Sequence, residues 1–367
     1  SGWLKPIVIT SMKVLLSLVP MVAQNSIGAE LPVLKQNLGI EYTDYRQIED
    51  TMLAHHVLWS EWPHTLEFLA SLYGNYPKLK HLAKQDPFLY NWGDVIETIS
   101  VWQALCKEFE QAPQSEWVYR NLYLPLIPTL LNAHEEGIAV VKEQVRPASN
   151  KLNALMTEAK KLAWAALGWQ INIGSEKQMK LVLYQLNKLP KQIRWKTKKL
   201  TVDADAIALL RQVLNPYLDL GAEKKEGLSI ETAIAHIEDG ANPLLEARVI
   251  YAGAQQAVSH YIRPLFQKDK TIRDRIYPEF HIHAQANARW STVNPPLAQL
   301  PKELREIIGP DPKTVWLEFD WDQIELRLNA ALSNDIPSIT AFEKGWDIHT
   351  MSMCECFAIP YPPNLID

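Results

Sequence analysis

The chain has 367 residues, 47% of them apolar and 22% charged, with a formal net charge of -5. That balance is ordinary for a globular protein and excludes collagen-like, wholly disordered and disulfide-stapled chains. The 42 acidic residues outnumber the 37 Lys and Arg, so the whole-molecule charge points to no nucleic-acid partner and any such role must rest on local patches. At ~100–200 residues per domain, two or three domains are expected.

Residues 1–112 mix short apolar runs with helical spacing and read as a small α/β domain. Met12 to Val22 predicts a helix and then a strand, and short helices are expected to start near Glu30 and Asp50. Leu66, Leu69, Ala70 and Tyr73 recur at helical spacing, and Gly93 to Phe109 repeats the pattern. Residues 113–275 predict a bundle of long helices. Their segments are Trp117–Glu136 stopped by Gly137, Ala148–Leu167 stopped by Gly168, Ser175–Leu186, Asp203–Leu214 and Pro243–Phe266. Residues 276–367 change character: a strand over Ile276–His283, an irregular Pro-rich stretch over Asn287–Pro301, a strand over Thr314–Asp320 and a helix over Trp321–Leu332. The longest apolar candidate for a membrane span, Val14–Val22, falls well short of the ~20 residues needed. The three cysteines, Cys106, Cys354 and Cys356, are too few for an oxidised framework and fit a reducing compartment. A soluble intracellular protein with no membrane partner is expected.

Alternation along Thr314–Asp320 sets Val315, Leu317 and Phe319 on one face, with Trp316, Glu318 and Asp320 on the other. Asp320 therefore falls at a strand end, away from the apolar side. In the helix that follows, Gln323 and Arg327 share a face. Two readings of Asp320 stand side by side. It can be an N-cap, with Gln323 completing a capping box, or an uncommitted carboxylate. A second concentration of charge is Lys188, Lys191, Arg194, Lys196, Lys198 and Lys199, a run without an acidic residue. It reads either as a solvated loop or as a grip on phosphates. His281 and His283 alternate on the expected strand, but no Cys or acidic partner is suitably spaced, so zinc is not expected. Neither GxxxxGK[ST] nor GxGxxG occurs.

Asp320-Trp-Asp-Gln-Ile-Glu-Leu-Arg327 resembles the first palm motif of the family A DNA polymerases, D-Y-S-Q-I-E-L-R, with Asp322 in place of the serine. Thr340-Ala-Phe and Asp347-Ile-His349 continue the likeness as T-A-F…D-I-H. Upstream, Asn287–Pro301 is similar to T-G-R-L-S-S-x-x-P-N-L-Q-N-I-P, keeping Arg289, Ser291, Pro295, Leu297 and Pro301. Ala288 replaces the glycine, while Pro296 and Ala298 replace the polar residues that usually meet DNA. Ile171-Asn-Ile-Gly-Ser-Glu-Lys-Gln178 resembles the thumb motif F-N-x-x-S-x-K-Q.

The resemblance implies an α+β, helix-rich fold with a remnant of an RNase H-like exonuclease, a helical thumb and a partial palm sheet. The implied divisions are 1–112, 113–275 and 276–367. It implies template-directed DNA synthesis from deoxynucleoside triphosphates on primer–template DNA, with two Mg²⁺ ions about 3.5–4 Å apart in the complete site. Asp320 and the Trp321 carbonyl match metal ligands. Glu325 matches the residue beneath the incoming sugar that excludes a 2′-hydroxyl. Gln323 and Arg327 match residues near the primer terminus, and His349 one beside the nucleotide phosphates. Arg289 matches a minor-groove contact, Ser291 holds its motif position, and the Lys188–Lys199 run corresponds to a thumb tip gripping the duplex.

The front domain resembles the proofreading exonuclease more weakly. Asn25–Leu34 looks like its second motif with Ala29-Glu30 in place of Phe-Asp, and Tyr90…Asp94 fits its third motif. The opening D-x-E is not found, so an inactive exonuclease fold is expected. The fingers motif and V-H-D-E are also not found in these residues. A subunit or fragment completed by a second polypeptide is therefore expected, in the cytoplasm of a bacterium or phage-infected cell. The alternative is a non-catalytic DNA-binding or assembly protein of polymerase descent.

Overall fold

The computed structural model describes residues 6–41, 44–74, 80–195, 197–216, 229–267 and 271–358. They form two compact units, divided between Asp311 and Pro312.

In the first unit the chain opens with helix Pro6–Leu18, which buries no residue. Strands β1 (Met21–Ala23) and β2 (Ile48–Asp50) then pair in parallel, Met21 opposite Ile48 and Ala23 opposite Asp50. The β2 strand ends where Asp50 caps helix Thr51–Leu58. Its carboxylate accepts from the Leu53 N–H at 3.0 Å and from the Ser26 N–H and hydroxyl at 2.7 and 2.6 Å. Burial pushes this carboxyl up to about 6, against the pull of those three donors. Thr65 caps helix Leu66–Tyr73, and Asp86 with Pro87 at the first helical position opens the 25-residue helix Pro87–Gln111. Leu53, Leu69, Val101, Leu105, Tyr119, Leu124 and Ile127 are buried together as the front core.

Helix Leu124–Glu136 ends at Gly137, whose φ is 63°. A Cβ there would lie 2.5 Å from the Ile276 carbonyl oxygen, so glycine is required sterically as well as conformationally. Strand β3 (Ile138–Val140) follows at once. It lies between β4 (Arg275–Ile276) and β7 (Ile308–Gly309), antiparallel to both. This small sheet ties together segments more than a hundred residues apart. The expected strand Ile276–His283 is in fact two: after Tyr277-Pro278, β5 (Glu279–His281) leaves β3 and pairs with β6 (Ser291–Val293). Pro278 has no N–H for a ladder, which is why the run breaks there.

The 26-residue helix Lys142–Leu167 packs along helix Pro243–Ala257. Ala159, Ala163, Ala247 and Ala254 are fully buried, and their small side chains let helices approach closely. Around this pair Ile173, Met179, Leu183, Leu210 and Leu245 form a second core. Inside it lies a charged group. Arg211 donates to both Glu246 oxygens at 2.6 and 2.7 Å, and His236 Nδ1 stands 3.1 Å from the same carboxylate.

In the second unit, helices Ile324–Ser333, Ile336–Glu343 and Ile348–Cys356 surround Ala341, Ile348 and Met351. The strand expected over Thr314–Asp320 does not form. Val315, Leu317 and Phe319, expected on the covered face, are 79%, 76% and 87% exposed. Alternation supplies one apolar face, but a strand also needs a neighbour for its backbone, and none pairs with it among the described residues. Across the described residues no helix is long and apolar enough to cross a membrane.

Candidate functional site

The segment bearing Asp320 lies in the second unit. Its helix starts at Ile324, three residues later than the spacing predicts, because Gln323 adopts a left-handed φ of 51° and makes no side-chain cap. The capping-box reading of Asp320 and Gln323 is therefore corrected. Asp320 is exposed, and among the described residues no hydrogen bond or ion pair engages its carboxylate. Trp321 is 79% exposed beside it. Gln323 instead turns its Oε1 inward, where it is buried without a partner.

Arg327 folds back on this turn. Its Nε donates to the Asp322 carbonyl at 2.8 Å and its Nη2 to the Asp322 carboxylate at 3.3 Å. Its guanidinium lies over the Phe342 ring, 4.5 Å from the centroid. The acidic residue that replaces the family's serine is thus engaged by Arg327, an exposed pairing that contributes little stability. Glu325 lies in the first helical turn, where a negative charge suits the helix dipole. His349 is exposed in the first turn of helix Ile348–Cys356, which Asp347 caps by accepting the Thr350 N–H at 2.8 Å. The Thr350 hydroxyl, which donates to the same carboxylate at 2.6 Å, together with that N–H holds the Asp347 carboxyl below its ordinary range.

Arg289 and Ser291 belong to the first unit. Arg289 is exposed, and its N–H donates to Asn287 Oδ1 at 3.2 Å. Ser291 opens β6 opposite His281. Ala288, at the family's glycine position, has a φ of 59°. It thus keeps the left-handed backbone that glycine adopts without strain.

The basic run forms a hairpin between Leu186 and Ala204. Ile193 bridges Leu200. The Arg194 N–H donates to the Lys199 carbonyl at 2.9 Å, and the Lys198 N–H to the Arg194 carbonyl at 2.8 Å. The hairpin base is fixed by the Tyr184 hydroxyl, which donates to the Thr201 carbonyl at 2.6 Å. Lys188, Lys191, Arg194, Lys198 and Lys199 are all exposed; Lys196 lies outside the described residues. Only Arg194 in this set has an acidic partner shown, Asp203, at 2.9 Å.

Nearer the start of the chain, Tyr90 and Asp94 are neighbours on one face of helix Pro87–Gln111. The hydrogen bond to Asp94 holds the Tyr90 hydroxyl above its ordinary range. Both line a shallow pocket of about 130 Å³ with Glu67, Lys80 and Glu97. Glu30 does not line that pocket. Its carboxylate accepts the Gln24 and Asn25 N–H groups at 3.1 and 3.2 Å and so closes the turn it sits on. Among the described residues, no group of three or more His, Cys, Asp or Glu side chains is arranged to hold a metal ion.

Sequence reading missed two groupings. One is Trp195, 82% exposed in the middle of the basic hairpin. The other is a buried imidazole chain. His64 Nδ1 is 2.7 Å from His55 Nδ1, and His64 Nε2 is 3.1 Å from His56 Nδ1. His281 and His283, stacked with centroids 5.2 Å apart, belong to the same neighbourhood. The His55-His56 pair was a visible signal, but its partners are placed by folding alone.

Residues 208–363 match the model of DNA polymerase family A, and the chain is related to that family. DNA polymerase I of Caldicellulosiruptor bescii is 26% identical over 363 residues, which is 96% of this chain and 38% of the relative. DNA polymerase I of Mycobacterium tuberculosis is 28% identical over 249 residues, 65% of this chain and 24% of the relative. The chain thus spans well under half the length of these relatives. Among solved structures, the POL domain of Pol1 from M. smegmatis, in complex with DNA primer-template and dNTP, superposes with a TM-score of 0.58. It is 24% identical and covers 85% of this chain and 50% of that one, a likeness of fold.

Proposed function

We propose that this chain supplies the thumb and the opening part of the palm of a family A DNA polymerase, acting on primer–template DNA and deoxynucleoside triphosphates. The front 1–112 is then an exonuclease-like domain without its activity, 113–275 the thumb and 276–367 the first part of the palm. The observation that carries the reading is Asp320, an exposed carboxylate with no internal partner, within a motif inside the matched stretch. Its chemistry suits a hard cation, which takes carboxylate and carbonyl oxygens. Asp320 and the Trp321 carbonyl are the residues that would hold Mg²⁺. Bound there, Mg²⁺ supplies charge neutralisation at the transferring phosphate and activation of the primer hydroxyl.

The chain's own residues have narrower tasks. Glu325 excludes a 2′-hydroxyl by filling its space. Arg327 and Gln323 position the primer end, and His349 faces the triphosphate. Arg289 and Ser291 meet the duplex, and the Lys188–Lys199 hairpin grips its phosphates without regard to sequence. The remaining carboxylate and the closing helix come from further polypeptide, on the same chain or on a partner. The test is fluorescence anisotropy with primer–template duplex over a salt series. Replacing Lys188, Lys191 and Lys199 by Gln should weaken binding and flatten the salt slope by about 0.9 per lost phosphate contact. No binding by wild type, or an unchanged slope, would contradict the reading.

A further inference from the structure

The hairpin over 187–202 carries more than charge. Its tip presents Trp195 at 82% and Ile193 at 62% exposure, large apolar surfaces of the kind normally turned inward. The tip is held: its base is fastened by the Tyr184–Thr201 bond and by Arg194, whose Nε and Nη2 reach Asp203 Oδ2 at 3.0 and 2.9 Å. Lys198 lies over one face of the indole, with its Nζ 3.5 Å from the ring centroid. A cation so placed is attracted by the ring's negative face, and with Trp195 82% exposed the described residues leave most of the ring uncovered. Lys188 and Lys198 have left-handed φ values of 50° and 54°, a backbone that glycine adopts without strain, so the turn itself does not call for lysine. Of the nearby acidic residues, Asp203 is engaged with Arg194 and Glu176 with Lys180, while Asp205 is exposed in the first turn of the following helix. The local charge therefore stays positive.

We propose that Trp195 is a stacking platform for an unpaired nucleobase, with Lys198 and its basic neighbours holding the adjoining phosphates. The ligand is single-stranded DNA next to a duplex. An aromatic face within a basic element is the combination that binds single strands without sequence preference, because every base has a π-face. A duplex stacks its bases internally and offers the indole no such face. The site rests on the DNA-binding reading above and adds to it a preference for an overhang, which phosphate contacts alone do not confer. An anionic lipid surface is the competing occupant for an exposed Trp among lysines. The fixed β-bridged hairpin, which exposes one ring rather than an amphipathic face, favours the nucleobase.

The test compares the full wild-type chain with Trp195→Ala and Trp195→Phe by fluorescence anisotropy. The probes are a blunt duplex, the same duplex with a ten-nucleotide overhang, and that overhang made abasic. Wild type should favour the overhang over the blunt end. Trp195→Ala should lose roughly 5- to 100-fold in overhang affinity while keeping its blunt-duplex affinity and its salt slope. Trp195→Phe should keep most of the preference, and the abasic overhang should lose it in wild type. Because Trp195 is exposed, melting temperatures of the variants should match wild type. Equal affinity of wild type and Trp195→Ala for the overhang, or an equal loss on both duplexes, would overturn the stacking site alone. Trp195-dependent binding to phosphatidylserine vesicles without an overhang preference would overturn it in favour of a lipid. Failure of wild type to bind any of the DNAs would overturn the DNA-binding reading together with it.

Discussion

Lowering the pH from 7 to 4.5 should weaken the front core through its imidazole chain. His55, His56 and His64 are 0%, 1% and 9% exposed. In the neutral state His64 donates through one ring nitrogen and accepts through the other, so both of its contacts are made without charge, while His55 Nε2 is buried without a partner among the described residues. Burial lowers His55 and His64 from 6.5 to about 4, with further repulsion among the rings. Glu108 opposes this at His55. His283 is likewise brought down to about 4 by burial and by His281 and His56. Because the folded values lie below the unfolded one, the unfolded state binds more protons between them. Stability is full above about 6.5 and is lost as pH falls towards 4. A gap from 6.5 to about 4 corresponds to roughly 3 kcal/mol for the first proton. Solvent screening and mutual repulsion reduce this and prevent simple addition, leaving roughly 2–3 kcal/mol for the group. Asp50, held at about 6 by burial, acts in the opposite sense: its contribution is lost as pH rises through that value and regained below it, roughly 2 kcal/mol by pH 4.5, so the imidazole contribution is read from the difference between wild type and His64→Gln. The assay is urea unfolding at a series of pH values, alongside a titration of the histidine ring protons by NMR. His64→Gln should flatten the pH dependence. Three ring signals titrating near 6.5, or the same slope in the variant as in wild type, would refute the argument.

Glu246→Gln removes the countercharge of Arg211 inside the helical core, and breaking such a buried pair costs about 3–5 kcal/mol; a drop in the urea midpoint measures it. On the proposed function, Glu325→Ala should raise ribonucleotide relative to deoxyribonucleotide incorporation, measured by competing substrates in primer extension. Unchanged discrimination would leave Glu325 a structural role only.

Local chemistry made much of the fold legible. Asp50, Ser175 and Asp203 each cap the helix they were read as opening. Gly137 and Gly168 end theirs with positive φ. The helical face of Leu66, Leu69 and Tyr73 also forms. What failed depended on partners distant in sequence. Alternation over 314–320 describes a face but supplies no pairing strand. Pro278 divides a run whose two halves join different sheets. At the candidate site, the basic residues and Asp320 were visible as residue types. The left-handed turn at Gln323, the capture of Arg327 by Asp322 and the exposed ring of Trp195 exist only once the backbone is placed. The imidazole chain likewise forms when the loop before Thr65 returns His64 to the helix bearing His55 and His56.

On the proposed function, the role of Asp320 is tested most directly by Mg²⁺-dependent single-nucleotide incorporation on primer–template DNA with Asp320→Ala. Asp320 is exposed and caps nothing, so stability should change by less than ~0.5 kcal/mol, whereas an N-cap would cost ~0.5–2 kcal/mol. Loss of a metal-holding carboxylate removes several kcal/mol of transition-state stabilisation, on the order of 10³-fold in rate. A variant as stable as wild type and nearly inactive is the predicted result; incorporation at close to the wild-type rate would contradict the account.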